Sequence, residues 1–369
     1  MARLKSITLR GFKTFRELAD FQPGPVTVLI GPNGAGKSNF ISFFRLLSWA
    51  LVPPGQLQEH VAKLGGASAL LHDGPERTRD IEAHLVLSTD SGDSEYSFRM
   101  TYAAGDTFVY TEEKLRHTTN FSALPAIWDV LGVGQKEPEL IKSAEEGDRT
   151  AKTILALLQG FIVHQFHDTS EKSRIRRRWS VEDGGWLKED AGNLAPFLYR
   201  LQEQYPKYYA RILETLRLIL PFFAEFELKP EYGKLLLAWR ERGTDRVFTA
   251  SQAADGMLRT MALVALFQQP EFDLPDVVIL DEPELGLHPY AIEILAGMIR
   301  SASQHSQVIL ATQSASLVDR FSAEDIVVVN RSGRESTLER HTEAELREWL
   351  EEYTLSELWE KNVLGGRPS

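Results

Sequence analysis

Residues 29–40 read LIGPNGAGKSNF, and they decide the fold. Gly31, Gly36, Lys37 and Ser38 fit the spacing G-x-x-x-x-G-K-[ST] of a phosphate-cradling loop. The β-branched run PVTVLI precedes them, and a helical pattern runs from Lys37 to about Val52, stopped by Pro53-Pro54-Gly55. The context is therefore strand, loop, helix. In such a loop Gly31, Pro32, Asn33, Gly34, Ala35 and Gly36 shape a backbone whose amides over residues 34–38 point inward at phosphate oxygens. The helix N-terminus, with Asn39 in its first turn, adds favourable partial charge. Lys37 bridges the β- and γ-phosphates and the Ser38 hydroxyl ligates Mg²⁺, so ATP with Mg²⁺ is the expected ligand pair.

The partner signal is VVILDEPELGLHP, residues 277–289. Four apolar residues predict a strand buried on both faces, with Asp281 at its carboxyl end, where ligands of open α/β sheets collect. Asp281 is placed to hold Mg²⁺ through water. Glu282, one residue on, is placed to polarise the attacking water.

The 369 residues, 43% of them apolar, suffice for one large domain with insertions or two ordinary ones. Zero cysteines exclude disulfides, thiolate metal sites and cysteine nucleophiles, and no HxxxH pair stands among the nine histidines. A net charge of −11 argues against broad adhesion to nucleic acid or anionic membrane. No run of 18 apolar residues occurs and the start MARLKSITLR scatters charges, so the expectation is a cytoplasmic chain without membrane contact.

Between the two motifs, LKSITLRGF reads as a first strand. DIEAHLVLST, SEYSFRMTYA and TFVYTEEKL read as an antiparallel meander. Residues 137–159 carry a helical pattern, GFIVHQF a strand, and 194–220 one long helical region too short for a coiled-coil arm. KLLLAWRER before Arg242-Gly243-Thr244-Asp245 predicts a hairpin. From about 250 helices and strands alternate: GMLRTMALVALFQQ, VVILDE, YAIEILAGMIRSA, QVILAT, DIVVVN. That rhythm gives an α/β class with a largely parallel sheet.

GPNGAGKSNF after LKSITLRGFKTF, with ILDEPELGLHP near the end, resembles the ABC-type ATPases of the RecF and SMC branch, most of all the small predicted ATPases related to OLD-family heads. The resemblance implies a P-loop NTPase fold: an ABC-ATPase-like two-lobed head with a mixed sheet, an antiparallel β meander and a short helical insertion. One head is expected over 1–369, with an N-terminal lobe at 1–165, an insertion and hairpin at 166–245 and a C-terminal lobe at 246–369. It further implies a homodimer sandwiching two ATP molecules between one subunit's phosphate loop and the other's signature. Ala254, Asp255 and Gly256 match that signature, although the family usually has serine where Ala254 stands. Gln313, straight after QVILAT, matches the switch position, Gln165 the Mg²⁺-contacting glutamine, and Glu284, Leu285, Gly286 and His288 the turn leading to the dimer seam.

The run EKSRIRRRW sets Lys172, Arg174, Arg176, Arg177 and Arg178 beside Trp179, a composition that suits DNA, although a solvated or partner-facing run is the more frequent outcome. OLD-type proteins that cut DNA continue into a TOPRIM nuclease domain, which the 56 residues after Gln313 do not accommodate. The resemblance thus points to a dimeric ATP-hydrolysing switch in DNA repair or antiphage defence, acting with a separately encoded nuclease or effector. A non-catalytic ATP-binding scaffold is the alternative, with a P-loop kinase third.

Overall fold

A computed structural model describes residues 3–51, 56–121 and 126–366. Two six-stranded sheets organise it. The first is antiparallel, in the order β2-β1-β4-β5-β6-β7. Its strands are β1 (Arg3–Phe12), β2 (Phe15–Phe21), β4 (Asp80–Thr89), β5 (Gly92–Ala103), β6 (Thr107–Thr119) and β7 (Asp129–Gly132). β4, β5 and β6 are the expected meander. β2 is a strand the sequence reading passed over: FRELADF buries only Phe15 and Leu18 fully, so it lacks a strict period-2 apolar face and forms by folding back on β1.

The second sheet has the order β17-β16-β3-β15-β14-β8. Here β3 (Val26–Ile30), β8 (Phe161–His164), β14 (Val277–Asp281), β15 (Gln307–Ala311) and β16 (Ile326–Ser332) run parallel, and β17 (Glu335–Arg340) is antiparallel to β16. The mixed α/β sheet expected from the sequence is therefore present. Val26, Val28, Ile30, Val278 and Leu280 enter one core. Leu29, Val277, Ile279 and Ile309 enter the other. Burial on both faces is why these strands read as unbroken apolar runs rather than alternating ones.

Helix α1 (Lys37–Ala50) follows β3, and α2 (Gln56–Lys63) follows it; the Pro53-Pro54-Gly55 stop and the predicted end at Val52 lie outside the described residues. The 137–159 pattern resolves into α3 (Leu140–Glu145) and α4 (Arg149–Gln159), the latter capped by the Asp148 carboxylate. The single helical region expected over 194–220 is instead two helices, α5 (Leu194–Gln204) and α6 (Pro206–Ile219). Pro206 has no N–H to donate and its ring excludes a preceding helical turn, so it starts a helix rather than continuing one.

Between α4 and α7 two small sheets form. β9 (Trp179–Ser180) pairs with β11 (Lys234–Leu235), and β10 (Phe223–Phe226), β12 (Ala238–Glu241) and β13 (Val247–Thr249) make a three-stranded one. β12 and β13 are the hairpin expected around Arg242-Gly243-Thr244-Asp245. α7 (Asp255–Gln268) is buried on nearly every side and packs against α6 and α8 (Pro289–Ala302). α9 (Ala315–Val318), α10 (Glu343–Leu350) and α11 (Leu355–Glu360) complete the chain.

One buried side chain staples the two sheets, in addition to the packing of β2 on β17. Gln307, at the start of β15, is 1% exposed. Its Oε1 accepts from Leu4 N (2.9 Å), and its Nε2 donates to the carbonyls of Leu4 (3.1 Å), Pro23 (3.2 Å) and Gly24 (3.0 Å). β1 is thereby fixed against the entry to β3, directly upstream of the phosphate loop. Replacing Gln307 with leucine strands these backbone groups in the interior. It should lower the unfolding free energy by at least about 2 kcal/mol in urea titration; an unchanged midpoint contradicts the staple.

Candidate functional site

Strand register sets the site. Leu29 pairs with Ala311, and Ala311 with Asp281, so the segments after β3, β15 and β14 leave the sheet at one height and meet. The phosphate loop is shaped by backbone that only glycine adopts without strain. Gly31 has φ 148°, and a Cβ there would stand 2.5 Å from the Val329 carbonyl oxygen. The loop is also gripped from outside. Ser336 donates to the Ala35 carbonyl, and Arg331 to the Gly34 carbonyl at 2.7 Å.

Lys37 is buried, and its Nζ donates to the carbonyls of Gly31 (2.6 Å) and Pro32 (3.1 Å). Burial lowers the pKa of its ammonium, while Glu282, Asp281 and Glu284 pull it back up. Ser38 Oγ donates to Asp281 Oδ1 at 3.4 Å. Two hard oxygen donors thus face each other at the loop's mouth, a pairing that fits Mg²⁺, which keeps several waters and takes few protein ligands. Burial pushes the Asp281 carboxyl up, against the opposing Ser38 hydrogen bond and His167.

Glu282 holds φ 43°, a left-handed conformation rare for a residue with a side chain. Its N–H donates to Ala311 O (2.8 Å), and its Oε1 accepts from Gln313 Nε2 (2.5 Å). Asn33, Gly34, Gly36, Lys37, Ser38, Asn39, Glu282 and Gln313 line one polar pocket. Nearly every residue expected from the two motifs therefore converges, and Gln313 joins them.

Other expected positions lie elsewhere. Gln165 does not line this pocket; it follows the end of β8 at His164, and its N–H donates to Glu189 O at 2.8 Å. Two residues on, His167 reaches the strand end, its Nε2–H donating to the Asp281 carbonyl at 2.6 Å. Ala254, Asp255 and Gly256 open α7 away from this mouth. Ala254 is the N-cap with no side-chain cap bond, and Asp255 pairs with Arg176 at 3.1 Å.

Several cations of the basic run are paired within the chain. Arg176 donates to the carbonyls of Thr169, Ala250 and Ala253. Arg174 pairs with Asp190 at 3.0 Å and Arg178 with Glu231 at 2.7 Å. Lys172 and Arg177 carry no such pairing and are too few for a basic tract.

Three further residues, Lys13, Thr14 and Arg259, were not singled out from the sequence. Lys13 and Thr14 border a second cavity beside the loop, together with Asn39, Ser68, Asp73 and Arg331. Burial lowers the pKa of the Lys13 ammonium, with Arg45 adding to the effect. The GFKTF that follows β1 was their only signal. Arg259 on α7 donates to the carbonyls of Leu285 (2.8 Å), Phe166 (3.2 Å) and His167 (3.1 Å). It ties α7 to the turn after β14, and a lone arginine inside an apolar helix gives no pattern to find it by. Glu284, expected at the dimer seam, is buried instead, and Thr312 donates to it. His288 caps α8, its Nδ1 accepting from Tyr290 N at 3.3 Å. Among the described residues no cluster of three or more metal-ligating side chains occurs, and no helix is long and apolar enough to cross a membrane.

Residues 26–319 match the family model described as "AAA domain, putative AbiEii toxin, Type IV TA system". Urease accessory protein 2 of Cryptococcus neoformans var. grubii is 32% identical over 98 residues, 25% of this chain and 7% of that protein. The chromosome partition protein Smc of Mycobacterium tuberculosis is 31% identical over 101 residues, 27% of this chain and 8% of that protein. The matched segments are thus under a tenth of either relative's length. A solved Smc head domain with an extended coiled coil, bound to the C-terminal domain of ScpA derived from Pyrococcus furiosus, superposes with a TM-score of 0.63. The match covers 95% of this chain and 99% of that one at 14% identity. At that identity the likeness establishes an SMC-head, ABC-like fold and nothing finer.

The contact between α7 and the turn after β14 reverses an ordinary rule. Glycine to alanine inside a helix usually stabilises by roughly 0.5–1 kcal/mol. A Cβ on Gly256, however, would sit 2.5 Å from Gly286 O, whereas Gly297 on the exposed face of α8 has nothing within 4 Å. Gly297→Ala should raise the melting temperature and Gly256→Ala lower it. A rise in both contradicts the close approach.

Proposed function

The chain belongs to this AAA-domain family of P-loop ATPases, and on that premise we propose that it hydrolyses Mg-ATP as a dimeric head-to-tail switch. The observation that carries the proposal is the convergence of Lys37, Ser38, Asp281, Glu282 and Gln313 at one mouth. The triphosphate lies on the amides of residues 34–38, and Lys37 leaves the Gly31 and Pro32 carbonyls to meet the β- and γ-phosphates. Ser38 and Asp281 would hold Mg²⁺, which would supply positive charge against the phosphates. Glu282 orients water and takes its proton, and Gln313 holds that carboxylate in place until a γ-phosphate competes for its amide. The nucleoside end extends toward Lys13 and Thr14.

The single head spans 1–369 and closes on a second copy whose Ala254–Gly256 meets the γ-phosphate. Lacking the serine hydroxyl, closure leans on the Gly256 amide and the N-terminus of α7. Opening and closing drive a separately encoded nuclease or effector in DNA repair or antiphage defence. Ala254 also favours a second reading, a scaffold that binds ATP without turnover.

Phosphate release from purified chain separates the two. Glu282→Gln should lower turnover by about a hundredfold or more and accumulate an ATP-bound dimer by size. Equal turnover in both proteins contradicts the role of Glu282, and a wild-type chain that binds ATP without turnover favours the scaffold. Gln313→His should introduce a pH transition near the free-histidine pKa of about 6.5, absent from wild type. A pH profile without that transition removes Gln313 from the site.

A further inference from the structure

Two residues beyond Glu282 the chain buries a second carboxyl group. Glu284 is 8% exposed. Its Oε1 accepts from Thr312 Oγ1, and its Oε2 is buried without a hydrogen-bond partner. Burial pushes this carboxyl up, opposed by the Thr312 hydrogen bond and backbone amides, including that of Gln313. Such a group is a poor way to stabilise a core, because an apolar side chain of the same volume avoids the desolvation cost altogether.

The local geometry shows what it connects. β14 ends in Asp281, and Glu282 at φ 43° turns the chain, closed by Leu285 N to Glu282 O (3.2 Å) and Leu287 N to Glu284 O (2.9 Å). That turn sends the Glu282 side chain toward the phosphate mouth and the Glu284 side chain into the interior. Thr312 meets Glu284 from β15. Its N–H donates to Leu29 O at 3.0 Å, and its hydroxyl accepts from Ser314 N at 2.9 Å while donating to Glu284. The adjacent Gln313 donates to Glu282. The segments after β14 and β15 are therefore joined by two rungs: one exposed at the mouth between Glu282 and Gln313, one buried beneath it between Glu284 and Thr312.

We propose that Glu284 is a positioning residue, which through Thr312 fixes the spacing of Glu282 and Gln313 so that Glu282 reaches the attacking water while Gln313 reaches the γ-phosphate. The proposal rests on the ATPase reading above. Glu284 touches no substrate. The buried rung persists when Gln313 turns from Glu282 to a γ-phosphate, and it keeps the strained Glu282 turn in place during that exchange.

The test uses the full chain with Mg-ATP for turnover and a fluorescent ATP analogue for binding. Glu284→Leu and Thr312→Val should each lower kcat about tenfold to a hundredfold while the ATP KM and analogue affinity stay near wild type. The double variant should be no slower than the slower single one, because both remove the same rung. Glu284→Gln, which retains an acceptor for Thr312, should restore most of kcat. Amide exchange over residues 312–317 should quicken in Glu284→Leu and stay unchanged over the phosphate loop. Should Glu284→Leu fail to fold, Thr312→Val breaks the rung from its other side and decides alone. Wild-type kcat and exchange in both single variants overturn the proposal, as do losses that multiply in the double variant or a raised KM with kcat unchanged. Absence of turnover in the wild-type chain contradicts the function above instead, and exchange over 312–317 then decides this inference.

Discussion

The register of three parallel strands is the constraint on which the site depends. Leu29, Ala311 and Asp281 stand level across β3, β15 and β14, and the loops that follow have no choice but to meet. Shifting one strand by a residue would turn its side chains to the opposite core and move a motif out of reach. The two apolar cores on either face of this sheet therefore hold more than the fold. They hold Ser38 within hydrogen-bonding distance of Asp281, 243 positions away in sequence.

Charge at this edge is deliberately out of balance. Lys37 faces Asp281, Glu282 and Glu284, and burial acts on the ammonium and on two of the carboxyl groups in opposite directions. A polyanion entering with a divalent cation supplies both missing partners at once: phosphate oxygens for the lysine, and positive charge for Asp281. The same edge carries backbone strain at Glu282, held by hydrogen bonds to Ala311 and Gln313.

Much of this was legible in the sequence because the residues concerned are constrained locally. Gly31 and Gly36 have backbone angles that select glycine, and Asp281 ends a strand apolar enough to be unmistakable. Gln313 could be placed because it directly follows a second such strand. What stayed hidden depends on pairing across long sequence separations. Gln307 reads as one more polar residue until Leu4, Pro23 and Gly24 surround it. Arg176 belonged to a charge run, and only tertiary packing shows it bonding to Ala253 and Asp255. The long 194–220 helix failed for a local reason that was available: Pro206 stands in its middle.

The central claim is that the phosphate loop and the acidic strand end form one Mg-nucleotide site. Calorimetric titration of ATP into the chain with and without Mg²⁺, compared with Asp281→Asn, tests it most directly. One ATP per chain should bind more tightly with Mg²⁺, and the substitution should abolish that gain while leaving metal-free binding in place. Failure of ATP to bind, or the same magnesium dependence in both proteins, would contradict the account.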